Sequence, residues 1–284
     1  MYDAATASDS DLRNKTLQRV AGTARIRFAK VEGRTRLADL YQKGSAKIRL
    51  PRVYNNVATA VLINTAGGLT GGDALSYDVT IDEAAHAIVT TQTAERAYRS
   101  NTGSAKVTGS LRVGAGATLE WLPQETILFD RSGLARGLNA ELAADARLML
   151  LETIVVGRTA MGETVRSVSF RDRWRIRRED RLVFADDVRF DGDPANFLGG
   201  PATARGGHVV STFVDCACDA EERLPLARSC LEKMPAGSTH AAASAWNGLL
   251  TARFVSNDSR DLRNAIISFL TGYRSADLPR VWYC

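Results

Sequence analysis

The sequence has few of the residues on which many metal and catalytic centres depend. Among its 284 residues are three histidines and four cysteines, Cys216, Cys218, Cys230 and Cys284, all in the last quarter. So few cysteines exclude a disulfide scaffold and favour a reducing cytosol. No H-x-x-x-H pair occurs, and Cys216-x-Cys218 is one residue shorter than a zinc-knuckle pair. Packing thiols are therefore favoured over a soft-metal site with His208.

Long apolar runs are also absent. No segment approaches the ~20 apolar residues of a membrane span, and the polar N-terminus has no apolar signal-peptide core. We therefore expect a cytoplasmic protein without membrane association, with a disordered tail at 1–18. The chain is 45% hydrophobic and 24% charged, which is ordinary for a globular protein with a sizeable core.

The segment "NTAGGLTGGD", Asn64 to Asp73, concentrates glycine but lacks the pattern of a nucleotide site. A P-loop needs a lysine and a hydroxyl after its last glycine, whereas Asp73 would repel a phosphate here. The spacing also differs from the G-x-G-x-x-G of dinucleotide-binding folds. Alternating apolar residues from Leu75 to Ile81 indicate that a strand follows. We predict a sharp corner between two strands, with the role of Asp73 left open.

A repeat runs through the middle of the chain. Three segments align on Ala85, Ala117 and Ala146, at offsets of 32 and 29 residues by subtraction of their numbers. Each has a strand ending, a tight turn and a second strand, so we interpret each unit as a hairpin. Periods of this length indicate stacked supersecondary units that bury their apolar faces against one another. The repeat predicts layered β-sheets, solenoid-like or sandwich-like.

Strand alternation places one acid on an apolar face. Leu148, Leu150 and Glu152 share a face in the third unit, and the aligned positions in the other units are Thr91 and Pro123. A buried carboxylate must be paired, protonated or metal-bound. Two interpretations stay open. Glu152 pairs with a nearby arginine such as Arg158, or it lines a polar interior with Thr91 and with Asp73 or Glu163.

The C-terminal third has a different pattern. A turn-rich loop at 191–207 precedes a strand, and helical periodicity predicts helices at 220–234 and 259–273 on either side of a strand near 249–255. Asp258 or Ser259 can cap the second helix. The predicted fold is mostly β, with layered, solenoid-like sheets of repeated hairpins and a C-terminal α+β portion with two helices. We expect a single domain at 19–284, comprising a β body at about 19–205 and the α+β part at about 206–284.

Four arginines alternate along one predicted strand. In "FRDRWRIRRED", Arg171 to Arg177 would point to one side, with Trp174 and Ile176 on the other. The face is either solvated, balanced by acids including Asp172, or a docking surface for an acidic partner. Nucleic acid is less favoured because no aromatic residues interleave with the arginines.

No catalytic constellation is evident. The serines lack a G-x-S-x-G elbow, and Glu152 with Glu163 gives only a weak basis for a β-solenoid enzyme acting on carbohydrate. We therefore expect a non-catalytic binding or scaffolding protein. The carbohydrate-active enzyme and a basic interaction module stand as alternatives.

Several stretches, taken in order, resemble the urease accessory family UreD, called UreH in some lineages. They are "NTAGGLTGGD", "IVTTQTAERAYRS", "LEWLPQETILFDRS", "ETIVVGRTAMGE", "GGHVVSTFV" and "PRVWYC". The resemblance covers about Ala24 to Trp282. Two departures are visible. The family's three glycines read Ala66-Gly67-Gly68 here, and Cys284 lies beyond the family's usual ending, so it is not expected to be a shared ligand.

The resemblance implies a non-catalytic urease maturation factor. Members bind the urease apoprotein and join UreF and the GTPase UreG, and nickel is thought to travel through the UreD body. The family fold, a helix-decorated layered β structure, agrees with the repeat. Nickel in transit needs weak, exchangeable ligands, so no cofactor is expected to be stably bound. From strand alternation and the matching motifs, the residues expected to line the nickel path are Asp73, Thr91, Glu152 and Glu163.

Overall fold

The computed structural model describes residues 19–52, 57–157 and 162–283. The predicted tail at 1–18, Arg158 and Cys284 lie outside these ranges. The strands are β1 Ala21–Val31, β2 Arg34–Gly44, β3 Ala46–Arg49, β4 Ala58–Asn64, β5 Ala74–Ile81, β6 His86–Thr91, β7 Glu95–Ala97, β8 Ala105–Val113, β9 Thr118–Leu122, β10 Thr126–Leu128, β11 Ser132–Leu142, β12 Arg147–Val156, β13 Val168–Arg178, β14 Arg181–Gly192, β15 Val209–Cys216, β16 His240–Trp246 and β17 Leu249–Ser256. The helices are α1 Pro194–Leu198, α2 Leu224–Glu232 and α3 Ser259–Arg274.

Two sheets form the β body, and the chain passes back and forth between them. The first sheet has the order β14-β13-β11-β8-β5-β1-β2. The second has the order β16-β17-β15-β12-β9-β6-β4-β3, with β7 and β10 beside it. Within each sheet the central strands are parallel, because every unit contributes one strand to each sheet and the next unit stacks upon it. The prediction of a mostly β, solenoid-like layered fold is confirmed.

The prediction that each repeated unit is a hairpin is wrong. β5 and β6, for example, do not pair with each other. β5 pairs with β1 and β8 in the first sheet, and β6 pairs with β4 and β9 in the second. A tight turn between two alternating strands has the same sequence pattern whether the chain folds back in one sheet or crosses to another. Sequence alternation alone therefore could not distinguish the two arrangements.

The three alanines that define the repeat stack at the crossing turns. Ala85, Ala117 and Ala146 are all buried, and each donates its amide to the carbonyl three residues earlier. The next residue of each later unit donates to the alanine of the unit before it, as Thr118 does to Ala85 at 2.9 Å. The pairing of β6 with β9 and of β9 with β12 has the offsets of 32 and 29 residues expected from sequence.

Helices α2 and α3 cover the outer face of the second sheet, giving three layers. One core lies between the two sheets, and a second lies between the second sheet and the helices. Strand β12 is therefore buried on both sides. Leu148 and Leu150 belong to the first core, while Met149 and Leu151 belong to the second. Side-chain alternation consequently places Glu152 inside the first core, as predicted.

The C-terminal predictions are largely confirmed. The two predicted helices and the intervening strand are α2, α3 and β17, and the Asp258 side chain caps α3 by accepting from the Arg260 and Asp261 amides. Strand β16 and the five-residue helix α1 inside the turn-rich loop were not predicted from sequence. No helix in the described ranges is both long and apolar enough to span a bilayer.

The glycine-rich segment forms the predicted corner, which carries the chain from β4 to β5. Asp73 secures it by accepting from the Val20 and Thr70 amides, both at 2.8 Å. Gly71 has no room for a side chain, because a Cβ there would meet the Ser100 hydroxyl oxygen at 1.9 Å and the Gly103 carbonyl oxygen at 2.6 Å. The glycine is thus required by a close approach between two loops.

We expect Gly71→Ala to lower the free energy of unfolding by about 2–3 kcal/mol, because the added methyl group must push the 100–103 loop away. Gly67→Ala is the matched control. Gly67 has φ of 75° but open space where a methyl group would lie, so only the backbone term of about 1 kcal/mol applies. Urea denaturation of both variants measures the difference. Equal losses would show that loop packing around Gly71 contributes nothing.

Candidate functional site: a buried ionised cluster beside a polar cavity

Arg136 occupies the core between the two sheets. It lies on β11, where alternation turns it inward with Leu134 and Leu138, and its side chain is 11% exposed. One guanidinium nitrogen donates to Glu152 at 2.6 Å and to Thr126 at 2.9 Å, and the other terminal nitrogen donates to Asp172 at 2.5 Å. Trp121 donates its indole N–H to the other oxygen of Glu152 at 3.2 Å. We call these five residues the Arg136 cluster; they are Trp121, Thr126, Arg136, Glu152 and Asp172.

The cluster carries more negative than positive charge when both acids are ionised. Burial raises the pKa of Glu152 to about 7; the nearby Arg136 opposes this shift, while Asp172 adds to it. One guanidinium therefore does not fully compensate two buried carboxylates. The Nε of Arg136 is also buried without a hydrogen-bond partner among the described residues. The excess of carboxylates, and not this unpartnered N–H donor, makes the cluster suited to take up a proton on Glu152.

A cavity of about 180 Å³ lies next to this cluster. Its lining includes Asn64, Tyr77, Thr91 and Glu95. Glu95 accepts from the side-chain amide of Asn64 at 3.1 Å, and burial raises the pKa of its carboxyl group. The Arg96 amide, the Asn64 side chain and, more weakly, the charges of Arg96 and Arg136 oppose that rise.

Backbone pairing connects the cavity to the cluster. Glu95 on β7 pairs with Thr126 on β10, and Thr126 pairs in turn with Ile154 on β12. The Thr126 hydroxyl accepts from Arg136, which binds Glu152. Glu95 at the cavity and Thr126 in the cluster are thus neighbours across two paired strands, and we call Thr91, Glu95 and the Arg136 cluster the buried polar row.

The structure places the four residues predicted to line a path in different surroundings. Glu152 lies in the Arg136 cluster, and Thr91 lines the neighbouring cavity while accepting from the Gln124 amide at 2.9 Å. Asp73 secures the glycine corner. Glu163 accepts from the Asp130 amide at 3.2 Å and so helps to hold the loop before β13. Only Glu152 and Thr91 are associated with the buried polar row.

The partner of Glu152 is Arg136, found 16 positions earlier in sequence, whereas Arg158 lies outside the described residues. The expectation that Asp172 balances the arginines of its own strand is wrong. Asp172 is buried on the opposite face and binds Arg136. In the described ranges, no group of three histidine, cysteine, aspartate or glutamate side chains is arranged to hold a metal ion.

For the site residues that were not predicted, the sequence nevertheless contains signals of their importance or their burial. Glu95 and Trp121 lie within stretches that carry the family resemblance, although their roles were not assigned. Arg136 alternates with Leu134 and Leu138 in "LARGL", so alternation alone turns it inward. Asp172 similarly alternates with Phe170 and Trp174.

The C-terminal motif packs against other motifs of the resemblance. Trp282 donates its indole N–H to Thr90 at 3.1 Å, and the side-chain amide of Gln124 donates to the Val281 carbonyl at 3.0 Å. Arg263 of α3 donates to the Trp282 carbonyl and lies over its ring. The chain end thereby fixes α3 to the second sheet near the polar cavity's Thr91 edge.

The fold and the cluster define a helix-covered β-solenoid protein whose apolar inter-sheet core contains a small group of buried polar side chains. The family described as UreD urease accessory protein matches residues 20–283. The chain belongs to this family. A protein named urease accessory protein UreD from Methylobacterium sp. (strain 4-46) is 46% identical to this chain over 252 residues, which cover 88% of this chain and 89% of that protein. A protein of the same name from Jannaschia sp. (strain CCS1) is 44% identical over 273 residues, which cover 96% of this chain and 98% of that protein.

A third relative of the same name, from Rhizobium rhizogenes (strain K84 / ATCC BAA-868), is 42% identical over 266 residues, covering 93% of this chain and 96% of that protein. The family membership supports a role in urease maturation. The name accessory protein agrees with the predicted non-catalytic role.

Proposed function

We propose that this chain is a non-catalytic chaperone that binds the urease apoprotein together with UreF and UreG and helps nickel reach the urease active site. Nickel is cargo here and is not a resident cofactor. The observation that carries the proposal is the acid-containing polar row inside a β body of a UreD family member.

The chemistry of the row suits passage of a cation better than its storage. The groups are carboxylates, hydroxyls and an amide, all of which exchange borderline metal ions more readily than a thiolate cage does. Arg136 already occupies one side of both cluster carboxylates, which limits how strongly a metal ion can be held. The surrounding apolar core would shield the ion from competing thiols.

Among the residues predicted from sequence, Glu152 and Thr91 remain the proposed lining groups, and Glu95 joins them. Asp73 and Glu163 remain proposals with weaker support, because each has a structural hydrogen bond elsewhere. Free Cys216, Cys218 and Cys230 agree with the proposed cytoplasmic location. The proposal includes no nucleic-acid or membrane partner.

Co-expression tests the proposed role. Urease structural genes, UreF and UreG are expressed in a nickel-supplied host with and without this chain. We expect background urease activity without it, restored activity with it, and recovery of one complex on an affinity-tagged copy. Full activation without the chain would contradict the proposal. Turnover of a polysaccharide by the isolated chain, lost in Glu152→Gln, would favour the carbohydrate-active alternative.

A further inference from the structure

The outer face of the first sheet is strongly basic. It lies on the opposite side of the molecule from α2 and α3. On strands β1, β5, β8, β11, β13 and β14, the carboxylates that point outward are Asp78, Glu141, Asp187 and Asp191. The more numerous outward basic side chains are Arg25, Arg27, Lys106, Arg112, Arg171, Arg173, Arg175, Arg177 and Arg189.

The arginines on β13 are only partly compensated. Asp187 accepts two hydrogen bonds from Arg171, and Arg171, Arg175 and Arg173 all help to hold the pKa of its carboxyl group below the usual range. One carboxylate thus faces three arginines, of which Arg175 also donates to two backbone carbonyls. Glu141 lies 3.8 Å from Arg177, and Asp191 pairs with Arg189. Arg173 itself is exposed, and it points away from the core because its neighbours Asp172 and Trp174 are buried on the other face.

Between β1 and β13 the outer face has a floor of small side chains. In the register across the sheet, Ser76 is followed by Thr108, Gly137 and then Arg173. A Cβ built on Gly137 meets nothing within 4 Å, so the space above this strand is open. The next row has Asp78, Ser110 and Asn139 before Arg175.

The dimensions of this floor fit a helix. Strand β13 is four strand spacings from β1, which is about 19 Å at ~4.8 Å per spacing. An α-helix with its side chains is about 10–12 Å across. Outward residues recur along β13 every ~6.7 Å, and acidic side chains at i and i+4 of a helix recur every ~6 Å, so successive carboxylates can meet successive arginines.

We propose that the outer face of the first sheet, centred on Gly137 and the β13 arginines, docks an acidic α-helix of a partner protein. The outward arginines of β13 supply charge complementarity, and the small side chains of β5, β8 and β11 permit close approach of the helix. A protein partner is favoured over nucleic acid, because no aromatic side chain points outward from β5, β8, β11 or β13 to stack on bases, and the outward Tyr41 at the β2 edge lies against Arg25. The surface is distinct from the buried polar row.

The test measures binding to five separate probes. Purified full-length chain is titrated with urease apoprotein, UreF, UreG, a designed helical peptide with glutamates at i and i+4 spacing, and a 20-bp DNA duplex, at two salt concentrations. Arg173→Glu reverses a central charge, and Gly137→Tyr adds a large side chain to the floor at a position where a Cβ meets nothing within 4 Å. Arg228→Glu, on exposed α2, and Gly137→Ala are the matched controls. Thermal unfolding checks that every variant is folded.

We expect at least one protein probe, and the peptide, to bind the wild-type chain with an affinity that falls about tenfold or more in Arg173→Glu and Gly137→Tyr. The controls should bind as the wild type does, and higher salt should weaken binding. Unchanged affinity in both variants, or no binding by any probe, overturns the proposal. Tighter binding of a 20-bp DNA duplex, lost in the same two variants, would assign the face to nucleic acid. The peptide needs no urease component, so its result is independent of the proposed function.

Discussion

Replacing Arg136 by methionine is expected to lower the free energy of unfolding by about 3–5 kcal/mol at pH 8. The substitution keeps much of the side-chain volume but leaves Glu152 and Asp172 buried without their shared cation. Two uncompensated carboxylates must then take up protons or draw water into the core, and either response costs stability. Urea denaturation of the purified variant at pH 8 measures the loss.

Two further variants separate the loss of charge pairing from a general packing defect. Arg228→Met removes an exposed arginine from α2 and should change stability by less than about 0.5 kcal/mol. Adding Glu152→Gln and Asp172→Asn to Arg136→Met removes the unpaired charges and should recover part of the loss. If the triple variant is no more stable than Arg136→Met, the unpaired charges do not explain the effect.

The pH dependence has a definite sign. Glu152 has a native pKa of about 7 against an ordinary value of 4.5, so the native state binds more protons than the unfolded state between these values. Raising the pH through this window therefore lowers the contribution of Glu152 to the free energy of unfolding. Glu152→Gln removes that contribution and leaves Arg136 paired with Asp172, so this variant should be as stable as the wild type or more stable above pH 7. Urea denaturation of both proteins across a pH series measures the difference.

Local patterns in the sequence were sufficient to predict the layers of this fold. The alanine repeat gave the inter-strand offsets, because each alanine fills the same buried turn position in successive units. The same local patterns could not predict which strands pair with each other. A crossing turn and a hairpin turn satisfy the same local rules, and the pairing of β5 and β6 with strands of different sheets is what distinguishes them.

The candidate site was predictable only in part for a related reason. Alternation placed Glu152 in the core, but the other members of its cluster come from β9, β10, β11 and β13, which are brought together by stacking of the units. Proximity in sequence suggested Arg158, whereas proximity in the solenoid selects Arg136. Asp73 and Glu163 are acids in recognisable motifs, and the structure gives each a role in holding a loop.

If nickel travels along the buried polar row, the combined Glu95→Gln and Glu152→Gln substitution should reduce urease activation at limiting nickel by about tenfold or more. A tenfold change corresponds to about 1.4 kcal/mol. A single unit charge about 4 Å from a cation contributes about 4 kcal/mol at an effective dielectric constant of 20, so loss of two acids is sufficient to produce it. Glutamine retains the size of glutamate and can keep one of the two hydrogen bonds that each carboxylate accepts, while it removes the charge. Urease activity per unit of recovered complex, measured across a nickel series, gives the result.

Glu141→Gln is the matched control because Glu141 is an exposed carboxylate on β11, the strand that carries Arg136 on its other face. Activation should be unchanged in this variant. In the double variant, excess nickel should restore part of the activity, since a higher concentration offsets weaker binding along the row. Recovery of the complex should be the same in all variants, because neither Glu95 nor Glu152 is exposed on the surface. Wild-type activation by the double variant at limiting nickel would show that the ion does not use this row. Loss of the complex in that variant would instead indicate that the two acids support folding or assembly.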